Sequence, residues 1–111
     1  MNTDLLSKKC EPCKGNSSKL TQDEILNNLS KINAWLLNDD NEMIFKKFKF
    51  KTFKESLNFI NQVSEIAEIE GHHPDISFGW GYAIIMIHTH SIKGLSINDF
   101  ILASKLDNIS I

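Results

Sequence analysis

Four histidines, His72, His73, His88 and His90, fall within nineteen residues of this 111-residue chain, which has no others. Imidazole gives and takes protons near neutral pH, and its ring nitrogens need partners when buried, so such clustering asks for a site. The first pair stands in the stretch "EIEGHHPDISFGWGY", with Glu68 one helical turn before His72 and Pro74 directly after His73. Glu68 and His72 share a face if a helix persists that far. Pro74 disfavours helical backbone at His73 and turns it toward an extended conformation. His88 and His90 alternate along a segment that reads as a strand, so both project from one sheet face.

Two chemistries compete with the bland alternative of solvated loop and strand-end histidines. In one, His88 and His90 are an i, i+2 metal-ligand pair completed by His72 or a carboxylate, a donor set acceptable to zinc. In the other the imidazoles are general acid and base, with the carboxylates of Glu68 and Asp99 available to hold their tautomers. The second uses more of the residues present.

The elements that must position these groups can be read from caps and periodicity. "TQDE" is a capping box with Thr21 as N-cap, and Ile25, Leu29 and Ile32 repeat at helical spacing, giving a helix over residues 21 to about 32. "AWLLNDDNEMIFKKFKF" reads as two strands around an Asn- and Asp-rich turn. Its alternation is imperfect: Phe48 and Phe50 share a face with Ile44 while Phe45 takes the other, which implies a bulge or a sheet with both faces partly covered. "TFKE" starts a longer helix, to about residue 69, with Phe53, Leu57, Ile60, Val63 and Ala67 as its apolar stripe. Gly71 and Pro74 stop it. "DISFGW" and "YAIIMIHTH" give two more strands, and a last helix begins after Ser96, with Asp99 at its third position and Ile97, Phe100, Ile101 and Leu106 facing a core. The expected fold is α+β, order αββαββα, with a four-stranded antiparallel sheet and helices packed on one face. Residues 1–19 read as a flexible N-terminal arm and 20–111 as a single domain.

Composition narrows the function classes. With 41% hydrophobic and 23% charged residues and a formal net charge of -2, the chain has no overall attraction for nucleic acid or an anionic membrane. Its longest apolar run, Tyr82–Ile87, is far short of the ~20 residues of a membrane span. The opening "MNTDLLSKKC" lacks the order of a secretory signal, so the expected location is cytoplasmic. "FKKFKFKTFK" could offer stacking faces and lysines to a single strand, but it reads better as a sheet strand with phenylalanines inward and lysines in solvent. Cys10 and Cys13 form C-x-x-C in the arm, with no strand before them and no second pair to complete a four-cysteine zinc site.

Taken together, Glu68-x3-His72-His73-Pro74, the aromatic Trp80, His90 and Asp99 resemble the signature of the pterin-4a-carbinolamine dehydratase family. The resemblance covers roughly residues 20 to 108, includes the closing "GLSINDFILASKLD", and extends to the "CEPCKG" leader of bacterial members. It implies a hydro-lyase that eliminates water from 4a-hydroxytetrahydropterin to give quinonoid dihydropterin, in tetrahydropterin recycling after aromatic amino acid hydroxylation, with no metal or other cofactor. By the same resemblance His72 and His90 are the acid-base groups and His73 mainly binds the pterin. Glu68 would orient His72, Asp99 would support His90, and Pro74 and Trp80 would line the substrate; His88 has no assigned role. The implied partners are the pterin, further copies of the chain in a homodimer or homotetramer, and a functional link to an aromatic amino acid hydroxylase. A metal-binding protein, or a non-catalytic dimerisation cofactor of transcription on the same fold, are the alternatives.

Overall fold

The structure, a computed structural model, describes residues 3–10 and 19–110. The elements run α1 (Thr3–Ser7), α2 (Gln22–Leu29), β1 (Leu36–Leu37), β2 (Ile44–Lys49), α3 (Phe53–Glu70), β3 (Asp75–Gly79), β4 (Tyr82–Ile87) and α4 (Ile97–Asp107), with a 3-10 turn at His90–Ile92 before α4. The four strands form one antiparallel sheet in the order β1-β2-β4-β3. The α+β class and the αββαββα order from residue 20 onward are as the sequence predicts, with α1 added in front.

The caps explain where the helices begin. Thr21 accepts from the Glu24 N–H while Glu24 reaches back to the Thr21 N–H. Thr52 accepts from the Glu55 N–H, but the Glu55 carboxylate turns to the N–H of Lys51. Each arrangement satisfies backbone donors that a helix start leaves without partners. The long helix α3 ends where Gly71 takes the left-handed conformation at φ 64°, a geometry that suits glycine.

β2 pairs with β4 without a bulge, Ile44 opposite Ile87 through Lys49 opposite Tyr82. The imperfect alternation therefore reflects a sheet whose outer face is partly covered, with Phe45 and Met86 opposite each other and half-buried. On the inner face Ile44, Phe48, Ala83, Ile85 and Ile87 are buried beneath the helices. The α3 stripe is offset from the expected one. Ser56, Phe59, Val63 and Ala67 are buried, whereas Phe53 and Leu57 are exposed. Phe59 claims the inward position because it packs on both Phe48 and Phe50, with ring centroids 4.5 and 5.2 Å apart.

Helix α4 is buried nearly all round, including the consecutive residues Ile101, Leu102, Ala103 and Ser104. One stripe faces the main core; the rest is covered because α1 packs on it, with Leu5 only 1% exposed. The start of the stretch expected to be a flexible arm thus holds a docked helix. Lys105 Nζ donates to the Leu6 carbonyl, the Cys10 N–H donates to Glu70 Oε1, and the Cys10 thiol approaches the Asn98 carbonyl at 3.5 Å. Cys13, and with it the C-x-x-C pair, lies outside the described residues. Among the described residues no helix is long and apolar enough to cross a membrane.

Candidate active site

The end of α3 sets the direction in which the first histidine pair leaves. Because Gly71 turns the chain left-handed directly after Glu70, His72 does not continue the helix; its N–H closes back on the Ala67 carbonyl at 3.2 Å. The expected Glu68–His72 alignment is therefore lost, and Glu68 pairs with His73 instead, Oε2 to Nε2, both side chains being exposed. His72 turns inward, where its Nε2 lies 2.7 Å from Asp99 Oδ1. Its side chain is 14% exposed and Asp99 is fully buried. The carboxylate expected to support His90 thus serves His72, and the one expected to orient His72 serves His73.

Asp99 is itself held on its other oxygen. Oδ2 accepts from the Ser96 backbone N–H and from Thr89 Oγ1, each at 2.8 Å. The single Thr89 hydroxyl hydrogen goes to Asp99, so the Ser96 hydroxyl, 2.9 Å away, donates to Thr89. A buried carboxylate filled by such donors has little freedom to turn, and it fixes the direction of the imidazole it meets.

Thr89 links this network to the second histidine pair. β4 ends at Ile87, earlier than the sequence suggests, but the backbone stays extended at Thr89, whose N–H bonds to the Gly94 carbonyl at 3.0 Å. Thr89 points into the buried network while His88 and His90 flank it, with ring centroids 4.0 Å apart. His90 is exposed, and His88 Nε2 sits 3.1 Å from Asp75 Oδ2 at the start of β3. One corner of the domain, where α3 gives way to β3 and β4 gives way to α4, therefore gathers Glu68, His72, His73, Pro74, His90 and Asp99.

Trp80 is not brought there. It sits 73% exposed in the β3–β4 turn, and the register places that turn at the opposite end of the hairpin from Asp75. Five strand residues span roughly 16 Å, so within one chain its ring cannot wall a ligand held by His72 and His73. A cleft of about 650 Å³ opens at that far end, lined by Lys49, Phe50, Glu55 and Phe59 among others and by no histidine. Sequence reading missed Thr89 and took Ser96 only as a helix cap. Only the neighbouring H-T-H and the Ser-x-x-Asp helix start hinted at them, and neither says that the two hydroxyls meet.

Comparison with known proteins identifies the family of the chain. Residues 18–109 match the family model described as Pterin 4 alpha carbinolamine dehydratase. A relative from Halorhodospira halophila is 46% identical over 93% of this chain and 94% of its own length. One from Aromatoleum aromaticum is 43% identical over 99% of this chain and 98% of its own; both are named after pterin-4-alpha-carbinolamine dehydratase. A crystal structure from Brucella melitensis, described as a transcriptional coactivator/pterin dehydratase, superposes with a TM-score of 0.75 at 31% identity, over 79% of this chain and 94% of that one. Another solved structure, described as a pterin dehydratase-like protein that is a RuBisCO assembly factor in the alpha-carboxysome, gives 0.59 at 25% identity, over 68% of this chain and 87% of that one. A match that spans nearly the whole domain, at such identity, shows that the chain belongs to the pterin 4 alpha carbinolamine dehydratase family.

Proposed function

We propose that the chain dehydrates 4a-hydroxytetrahydropterin to quinonoid dihydropterin by histidine acid-base catalysis. The lone pair of the ring nitrogen beside the hydroxyl-bearing carbon forms a C=N bond as the C–O bond breaks. A proton must reach the departing oxygen, and one must leave the ring nitrogen. His72 and His90 carry those protons, each serving a hydroxyl on one face of the ring, and His73, steadied by Glu68, binds the pterin beside Pro74. Two imidazoles suffice for this step, and positioned acid-base groups typically contribute ~10² to 10⁴ in rate.

The observation that carries the reading is the His72–Asp99 pair. A buried carboxylate fixed by Thr89 and Ser96 holds the imidazole at 2.7 Å, and Thr89 directly precedes His90 in the chain. Such a chain of partners presents one ring nitrogen inward and leaves the other for a ligand. The reaction belongs downstream of aromatic amino acid hydroxylation, which generates the carbinolamine, and the working form is a homodimer or homotetramer.

The test is dehydration of freshly generated 4a-hydroxytetrahydropterin, followed by ultraviolet absorbance with chelator-treated protein. Acceleration over the spontaneous reaction is expected, and it should vanish in a His72→Ala, His90→Ala double variant. Full turnover by that variant would refute the assignment. No acceleration by the wild-type chain would favour a non-catalytic role such as the assembly role stated for the carboxysomal neighbour.

A further inference from the structure

We propose that Asp75, His88 and His90 form a zinc-binding site on the rim of the candidate active site, and that filling it withdraws His90 from proton transfer. The second clause rests on the function proposed above; the first does not.

His88 and Asp75 have no task in the dehydration, yet they are placed as ligands are. The extended backbone through Thr89 sends His88 and His90 out on one side, and their rings meet at 62° with centroids 4.0 Å apart. Asp75 opens β3 opposite Met86, on the face that His88, two residues along, also takes. Its Oδ2 lies 3.1 Å from His88 Nε2, and one donor atom from each of the three residues falls within 4.8 Å of the others.

Two imidazoles and a carboxylate suit zinc, which binds such donors at about 2.0 to 2.2 Å and keeps a fourth position open for water. Tetrahedral ligands at those lengths stand about 3.3 Å apart, so a modest contraction closes the site around an ion. The side chains can supply it, since Asp75 and His90 are exposed and free to rotate toward the half-buried His88. The backbone between the histidines is already pinned, because Thr89 is bonded to Asp99 and to the Gly94 carbonyl. Magnesium and calcium prefer all-oxygen shells and are poorly matched to this set.

A zinc ion takes an imidazole nitrogen lone pair, and a nitrogen so occupied carries no proton. Bound zinc would therefore stop dehydration without touching His72 or Asp99.

The full-length, chelator-treated chain is titrated with zinc in competition with a chromophoric chelator, and dehydration is followed with and without zinc. One zinc per chain is expected in the wild type. Affinity should fall at least tenfold in His88→Ala and in Asp75→Asn, while both variants keep the zinc-free dehydration rate. Stoichiometric zinc should inhibit the wild type, with recovery on chelation, and leave the variants active. Zinc binding that is absent, or unchanged in both variants, overturns the site. His88-dependent binding with undiminished turnover overturns the inhibition. Absence of turnover before zinc is added refutes the dehydratase reading alone, since the titration decides the site by itself.

Discussion

Replacing Asp99 by Asn should invert the tautomer of His72 while leaving the fold standing. The asparagine keeps the shape of the aspartate, and its orientation is dictated by its neighbours. The Ser96 N–H is a fixed donor, so the amide oxygen must stay where Oδ2 now accepts from Ser96 and Thr89. The amide NH2 is then forced to face His72 Nε2, which at present approaches Asp99 Oδ1 at 2.7 Å. That nitrogen must become an acceptor, and the imidazole proton moves to Nδ1, the nitrogen that should take a proton from the substrate. Loss of one acid-base group predicts a fall in kcat of ~10² to 10⁴, or about 2.7 to 5.4 kcal/mol at 1.36 kcal/mol per decade. KM should change little, because His73 and Pro74 are untouched. The stability cost is that of one hydrogen bond to a charged group, about 1.5 to 3 kcal/mol. The assay is the absorbance-followed dehydration beside a thermal melt, with imidazole nitrogen chemical shifts reporting the tautomer. A variant that melts as a folded protein, shows the inverted tautomer and retains kcat within about threefold would refute the role given to His72.

Truncating Leu5 to Ala should cost about 2 to 5 kcal/mol, as for any fully buried leucine, and a thermal melt on the variant would show a lowered midpoint that a merely mobile arm would not produce. Burial, followed by the nearby Glu70 carboxylate, pushes the Cys10 thiol up to about 12. In a Cys13→Ser chain its alkylation at pH 8 should therefore be suppressed by about a thousandfold relative to an ordinary thiol. Because this folded-state value exceeds the unfolded one, the contribution to stability is complete below about pH 9 and lost as the pH rises toward 12. The melting midpoint of that chain should fall over this interval more steeply than when Cys10 is also replaced by Ser. Leu36, Phe53, Leu57, Ile69 and Ile76 are exposed apolar side chains, and light scattering on the purified chain should give the mass of a dimer or tetramer; a monomer at micromolar concentration would contradict this.

Local chemistry was the legible part of the chain. The caps at Thr21 and Thr52 and the helix-stopping Gly71 depend on neighbours a few residues apart, and each is found where expected, although Glu55 leaves the expected capping box at Thr52 half made. The gathering of His72, His73 and His90 in one corner also follows from element order, since a loop after a helix and the end of a returning strand must meet on a four-stranded sheet. Which carboxylate serves which histidine was hidden. The choice turns on whether α3 runs one residue further, and on the 27-residue separation of His72 from Asp99. The inward lysine was hidden for the same reason. Lys46 falls on the buried face of β2 between Ile44 and Phe48, a position read as solvated. It is tolerated because its amine reaches Asp107 at 2.8 Å and lies over the rings of Phe48 and Trp35, 4.7 and 5.9 Å from their centroids.

The docking of α1 has a consequence for the order in which the protein is completed. Leu6 within it and Cys10 just beyond it bond to Lys105, Glu70 and Asn98, sixty to ninety-nine residues away in sequence. Residues 3–10 therefore have nowhere to dock until α4 has been made. Their attachment through Glu70, the residue before Gly71, ties down the very turn that launches His72. Contacts of such long range close late, after shorter loops have formed. The histidine corner would then be finished only once α4 is available, and a bulky group placed directly before α1 would disturb that final step before it disturbed the sheet.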